Sequence, residues 1–269
     1  MIEDSKILSI KARNLILTLS YQNKTSHVGS SLSVVDILAV LYSNILKITP
    51  STVNNKNRDR LYFSKGHACL ALYSILHLQG FFKKINLLQD FSKNGSLFTS
   101  HVNDLLPGIE ISTGSLGNAA GFACGVSYSA KLNNSNFCSY VILSDGELDE
   151  GSNWESFLFA GHHKLDNLIF IIDSNKIQSF GNTRDVIDTE PLVEKFHSFN
   201  FHVSRVDGHN HNLLLKEIKK LKLKKNKPKV LICDTVKGKG VSFMENKLLW
   251  HYKSPDEEEY KRAIKEINS

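Results

Sequence analysis

The chain has 269 residues, of which 41% are hydrophobic and 22% charged, and 33 Lys plus Arg against 27 Asp plus Glu leave a formal charge of +6. That is an ordinary globular balance, and a chain of this length buries about 70–75% of the surface its unfolded form exposes, so its core needs no disulfide or zinc support. No uninterrupted apolar run approaches the roughly 20 residues of a membrane span, and the N-terminus lacks a signal-peptide layout, which together point to a cytoplasmic protein with no membrane partner.

In the first third, Val34, Val35, Ile37, Leu38, Leu41, Tyr42, Ile45 and Leu46 recur at helical spacing behind Ser33 and Asp36. This spacing predicts an amphipathic helix, capped by that pair and ending before Pro50. Arg60 to Ser64 reads as a short extended entry to a second helix, His67 to Leu78, stopped at Gly80, and loops are expected from Phe82 to Ser112. Gly114-Ser115-Leu116-Gly117 opens a small-residue helix whose Gly121 and Gly125 suit close helix packing. From Ser139 onward, β-rich runs at Tyr140 to Leu143, Leu168 to Asp173, Phe201 to Val206 and Lys229 to Asp234 alternate with helical segments. Those segments lie near Ser152 to His163, Glu190 to Phe199 and Asn210 to Lys224. The alternation predicts an α/β fold with a mostly parallel sheet and helices on both faces. No repeat or linker divides the sequence, so residues 1–269 are expected to form one domain.

Ligands of such sheets bind beyond the carboxyl ends of the strands, and three polar motifs fall there. Ser144-Asp145-Gly146 presents a carboxylate at a strand tip, with a glycine that lets a backbone N–H approach a ligand. Asn175, 30 residues later at the tip of the next strand, offers an amide oxygen, with the Ile177 carbonyl close by. One carboxylate, one amide oxygen and one carbonyl suit Mg²⁺ held with a diphosphate, with Ca²⁺ or Mn²⁺ as substitutes. An isolated Asp-Gly turn is most often only a turn; two paired strand tips favour a site. The third motif, Asp234 to Gly240, contains KGKG, which lacks the spacing of a nucleotide-hydrolase phosphate loop and is weak alone. Cys69, Cys124, Cys138 and Cys233 have no CxxC spacing and read as reduced core thiols. The lysines from Lys216 to Lys229 include no aromatic partner for base stacking, so they read as a solvated helix face and no nucleic-acid partner is expected.

The segment SDGELDEGSNWE, followed by HHKLDNLIFIIDSNKIQ, resembles the thiamine-diphosphate fingerprint of the transketolase family. TSHVGSSLSVVDILAVLY, RDRLYFSKGHACLALY, TGSLGNAAGFACG and DTVKGKGVSFMEN match further transketolase segments in order. The whole chain is most similar to the N-terminal subunit of split transketolases. The resemblance implies that Asp145, Asn175 and the Ile177 carbonyl bind the metal, with Gly146 at the diphosphate. It implies that Gly114 and Leu116 border the aminopyrimidine, that His67 and His251 contact the diphosphate or thiazolium, and that His27 and His101 line the substrate channel. Glu150 and Glu155 match acidic residues near a subunit interface, on a proton path between active sites. Glu150 stands with the catalytic set and Glu155 with the cofactor side. His162 and His163 match no ligand and read as structural.

The family's activating glutamate and pyrimidine-cradling aromatics lie in a second half that this sequence does not contain. The resemblance therefore implies a partner, the C-terminal, pyrimidine-binding subunit, in an α2β2 assembly that moves a two-carbon ketol unit between sugar phosphates. The alternatives are an α subunit of another split thiamine-diphosphate enzyme and a non-catalytic paralogue. Two departures stand out: Ser144 replaces the usual first glycine of the metal motif, and Val102-Asn103 follows His101 in place of the commoner proline.

Overall fold

Runs of β-branched and aromatic residues put a five-stranded sheet at the centre of this computed structural model, which describes residues 2–83 and 85–269. In chain order the described elements are α1 (Ile2–Asn23), α2 (Val28–Val40), β1 (Arg60–Phe63), α3 (Cys69–Leu78), α4 (Leu87–Asp90), α5 (Ala119–Leu132), β2 (Ser139–Ser144), α6 (Gly151–His162), β3 (Leu168–Ser174), β4 (Ile177–Gln178), β5 (Gly181–Asn182), α7 (Thr183–Val186), α8 (Leu192–Ser198), β6 (His202–Asp207), α9 (His211–Leu223), β7 (Lys229–Asp234) and α10 (Glu257–Asn268). The sheet order is β1-β2-β3-β7-β6, with every neighbouring pair parallel. The expected α/β architecture is therefore present. β4 and β5 form a separate antiparallel hairpin just past the tip of β3.

Side chains alternate across a strand, so each central strand feeds two cores. Ile169, Ile171, Leu231 and Cys233 enter one with α1, α2, α3 and α9, whereas Phe170, Ile172, Val230 and Ile232 enter the other with α5, α6 and α8. The distribution follows from right-handed crossovers. The chain moves from β2 to β3 through α6 and on to β6 through α8, both on one face. It then steps back to β7 through α9, and the reversed direction puts that helix on the opposite face.

Several sequence expectations change. The helix expected from Val34 begins at Val28, continues as π-helical Leu41–Ile45, and has every residue from Val28 to Val40 buried. It is a core helix with no solvent face, and Ser33 lies inside it, donating to Asp173 Oδ2 at 2.6 Å. The stretch Val28–Ile45 is apolar and long enough to pass as a membrane span by composition, yet 89% of it is buried inside the fold. Gly121 and Gly125 are exposed; a Cβ at Gly121 would lie 3.6 Å from Ser156 Oγ of α6, whereas one at Gly125 would meet nothing within 4 Å, so Gly125 does not serve packing between helices of this chain. Among the lysines expected on a solvated face, Lys229 is buried in β7 and donates to the Asp166 carbonyl. The loop region from Phe82 to Ser112 contains the single turn α4, and Lys84 lies outside the described residues. Neither α1 nor α10 was among the expected helices; α10 starts with a capping box in which Asp256 and Glu259 each bond the other's backbone N–H, both at 2.9 Å.

Candidate active site

The loops leaving the adjacent strands β2, β3 and β7 converge at their carboxyl ends. Asp145 follows β2, and its Oδ1 accepts from the Gly146 N–H at 2.8 Å while Oδ2 accepts from the Lys176 N–H. Gly146 therefore directs its N–H at Asp145 in this structure, and the space a side chain would fill is taken by Gln178 Cβ, 2.6 Å from an added Cβ. Lys176 reaches Asp145 because it adopts a left-handed conformation at φ 68°, which is unfavourable for a residue with a Cβ and is held here by the surrounding bonds. Asn175 Oδ1 accepts from the Ile177 N–H at 3.2 Å. The Ile177 carbonyl accepts from Lys237 Nζ at 2.9 Å, and the same Nζ lies 2.9 Å from His251 Nδ1.

Beneath this floor, Lys65 and Asp173 form an ion pair with neither side chain exposed, and Lys65 also donates to the Ser30 carbonyl at 3.1 Å. Burial disfavours ionisation of Asp173, and the Lys65 charge outweighs it, keeping the carboxyl below its usual range. Asp145 behaves oppositely: burial and the neighbouring Asp173 push it up to about 6. Lys237 falls to about 8, through burial and then the Lys65 charge. The floor thus holds a carboxylate short of positive charge beside a lysine inclined to lose its own.

Above it lies a cavity of about 240 Å³ lined by His27, His67, His101 and His251, together with Ser30, Gly114, Leu116, Gln178 and Ser179. The His27 ring centroid is 4.8 Å from that of His251, 5.3 Å from His67 and 6.1 Å from His101. Local backbone sets these rings: His27 is left-handed at φ 66° immediately before α2, with its N–H on the His251 carbonyl at 3.0 Å. The His101 carbonyl accepts from Tyr73 Oη and Thr99 Oγ1, both at 2.7 Å, and its ring comes within 3.2 Å of a Cβ built on Gly114. These bonds fix the backbone at His101, directly before Val102-Asn103. Burial lowers the basicity of all four imidazoles, taking His27 to about 4 and His251 to about 3, so each is neutral at pH 7. Neutral imidazoles offer both donors and acceptors to hydroxyl groups.

Ten of the residues anticipated from sequence thus line one cavity: His27, His67, His101, Gly114, Leu116, Asp145, Gly146, Asn175, Ile177 and His251. Glu150 and Glu155 do not; both are exposed on the surface outside it. Ser144 closes β2 in extended conformation, so its replacement of glycine brings no left-handed strain. Sequence reasoning missed Ser30, Lys65 and Lys237, and also Glu147, a fully buried carboxylate that accepts from Ser64 Oγ, from the Gly117 N–H at 2.8 Å and from the Ser144 N–H at 3.2 Å. KGKG was the available signal for Lys237.

The Asp145 carboxylate, the Asn175 amide oxygen and the Ile177 carbonyl together are a donor set that could hold a hard cation. Lys237 supplies positive charge beside them for an anionic group.

The family model for the transketolase thiamine diphosphate binding domain matches residues 5–267. A 6-deoxy-6-sulfo-D-fructose transketolase subunit from a Clostridium species is 40% identical over 242 residues, covering 90% of this chain and 88% of that protein. An apulose-4-phosphate transketolase subunit from Phocaeicola vulgatus is 33% identical over 267 residues, covering 99% and 95%. Among solved structures, transketolase from Leishmania mexicana superposes with a TM-score of 0.91 at 28% identity, covering 98% of this chain and 41% of that one. The chain thus spans about two fifths of the length of that transketolase.

Proposed function

Because this chain belongs to the transketolase family, matched over its thiamine-diphosphate-binding domain, we propose that it is the N-terminal subunit of a split transketolase. With a separate C-terminal subunit it transfers a two-carbon ketol unit from a ketose to an aldose phosphate. The observation that carries this reading is the convergence of Asp145, Asn175, the Ile177 carbonyl and Lys237 on the floor of a cavity walled by four histidines.

Asp145, Asn175 and the Ile177 carbonyl would hold Mg²⁺, whose charge would favour the ionised form of a carboxylate that burial and Asp173 otherwise incline to keep its proton. Lys237, His67 and His251 face the diphosphate, while Gly114 and Leu116 border the aminopyrimidine through backbone groups. Bound thiamine diphosphate supplies the nucleophilic carbon that carries the two-carbon unit. His27 and His101, kept neutral by burial, orient the hydroxyls of that unit and shuttle protons at them. Ser30, at the cavity wall beside His27, adds a further polar contact.

The partner is a pyrimidine-binding subunit, and two such pairs associate as α2β2 in the cytoplasm. Two features support assembly. Phe180 and Tyr252, next to the cavity residues Ser179 and His251, are 81% and 57% exposed, and Phe122 and Leu158 on α5 and α6 are 59% and 63% exposed near Glu150 and Glu155. Large apolar groups left in water in such number mark contact surfaces. The relatives' names point to different sugars, so the donor and acceptor are set by assay. The purified chain should show no ketol transfer and weak cofactor binding, and adding its C-terminal subunit should restore both. Robust transfer by this chain alone, free of host transketolase, would overturn the split-subunit reading.

A further inference from the structure

We propose that His209 is a positioning residue: clamped by Asp36, its ring holds the backbone of the loop that carries Lys237 into the cavity. The inference rests on the cofactor reading above and adds a residue that does not line the cavity. His209 lies in the turn between β6 and α9, and its Nε2 is 2.8 Å from the Val236 backbone N. A backbone N–H can only donate, so Nε2 accepts and the ring proton sits on Nδ1. Nδ1 is 2.7 Å from Asp36 Oδ2, and this tautomer alone satisfies both contacts.

Asp36 is itself locked. It is buried within α2, Arg13 Nη1 and Nη2 donate to its two oxygens at 2.9 and 2.6 Å, and His211 Nε2 lies 3.1 Å from Oδ1. Burial works against its ionisation, and the Arg13 charge with the two histidine bonds prevails, holding the carboxyl well below its usual range. His211 Nδ1 in turn meets Ser5 Oγ at 2.8 Å, so α1, α2 and the start of α9 all grip the same carboxylate.

Val236 directly precedes Lys237, whose Nζ is shared between the Ile177 carbonyl and His251. The loop is pinned on either side as well: Thr235 Oγ1 bonds Asp173, and the Gly238 N–H bonds the Gly29 carbonyl at 3.0 Å. The pin at Val236 is the one made by a side chain from the β6–α9 turn. A lysine with four rotatable bonds is aimed only as well as its backbone is fixed, so removing this pin loosens Lys237 without touching it.

The test compares His209→Phe, which keeps a ring and loses both bonds, with His209→Gln, which keeps a donor and an acceptor. His209→Ala repeats the comparison should the phenylalanine variant fail to fold. In the full chain, amide hydrogen exchange at residues 235–239 should quicken in His209→Phe, stay unchanged in the sheet, and return toward the parent value in His209→Gln. Calorimetry of the pair assembled with a C-terminal subunit, using thiamine diphosphate and Mg²⁺, should show binding about three- to tenfold weaker for His209→Phe, and the double variant His209→Phe with Lys237→Met should bind no more weakly than Lys237→Met alone. Unchanged loop exchange, or losses that simply add in the double variant, would overturn the proposal. A parent chain that binds no thiamine diphosphate even with its partner would count against the cofactor reading instead, and the loop exchange would still decide the role of His209.

Discussion

At Asp145 two requirements pull in opposite directions. A metal site needs its carboxylate ionised, yet burial and Asp173 raise its pKa to about 6. With the folded value above the unfolded value of about 4, the folded state holds the proton more tightly, and stability falls as pH rises between the two. Asp145→Asn cannot ionise, but its –NH2 cannot accept the backbone N–H that one carboxylate oxygen accepts; on top of that fixed loss, the stability of the ligand-free variant relative to the parent should rise by roughly 1–3 kcal/mol between about pH 4 and pH above about 6. The same variant, like Asp145→Ala, should lose Mg²⁺-dependent cofactor binding; thermal melts across pH and calorimetry check the two halves, and parent-like affinity would refute the metal assignment. His27 and His101 sit on the other side of the cavity. Alanine there should cut turnover of the assembled enzyme by about 10²-fold or more while changing cofactor affinity little, measured by steady-state kinetics at saturating cofactor. Much of this site was legible because its residues sit in short motifs whose order matches a known family. Lys65 and Lys237 escaped because nothing local distinguishes a buried lysine from a surface one; both are almost completely enclosed, which only the tertiary fold reveals. Glu150 and Glu155 were legible as acidic residues, and their exposure outside the cavity fits the proposed contact with another chain.

Among the elements, two helical glycines make a matched pair. Gly125 in α5 has nothing within 4 Å of an added Cβ, whereas a Cβ on Gly161 in α6 would lie 2.1 Å from the Phe199 carbonyl oxygen. Gly125→Ala should stabilise the isolated chain by about 0.5–1 kcal/mol through helix propensity. Gly161→Ala should destabilise it by about 1–3 kcal/mol because the backbone must move apart. Urea unfolding compares them directly, and a destabilising Gly125→Ala would show that α5 is not open on that face. The inner strands of the five-stranded sheet were legible to within a residue or two because buried parallel strands are unbroken apolar runs, as in Leu168–Ile172, whereas the short β4–β5 hairpin carries no such run and was not anticipated. The start of α2 was hidden by Gly29, Ser30 and Ser31, small residues that look like a loop and are in fact buried. The signals for two unanticipated helices were present: Leu8, Ala12, Ile16 and Leu19 at helical spacing in α1, and Asp256 three residues before Glu259 at the head of α10.

For the molecule as a whole, the exposed apolar groups on α5 and α6 turn assembly into a testable surface. Phe122→Glu combined with Leu158→Glu should leave the melting temperature of the isolated chain near the parent value, since both side chains already face water. It should abolish recovery of activity on adding the C-terminal subunit, by burying charge in the contact. Full complementation by this variant would place the contact elsewhere. The strand order has a consequence for biosynthesis. β7 is the last strand to leave the ribosome, yet it lies between β3 and β6 and carries Lys237 just beyond its tip. Until residue 234 emerges, the nascent polypeptide carries two unpaired inner strand edges, a template for misassociation, and no lysine at the cavity floor. Premature termination anywhere in α9 should thus yield aggregates, with no partially competent fragment among them.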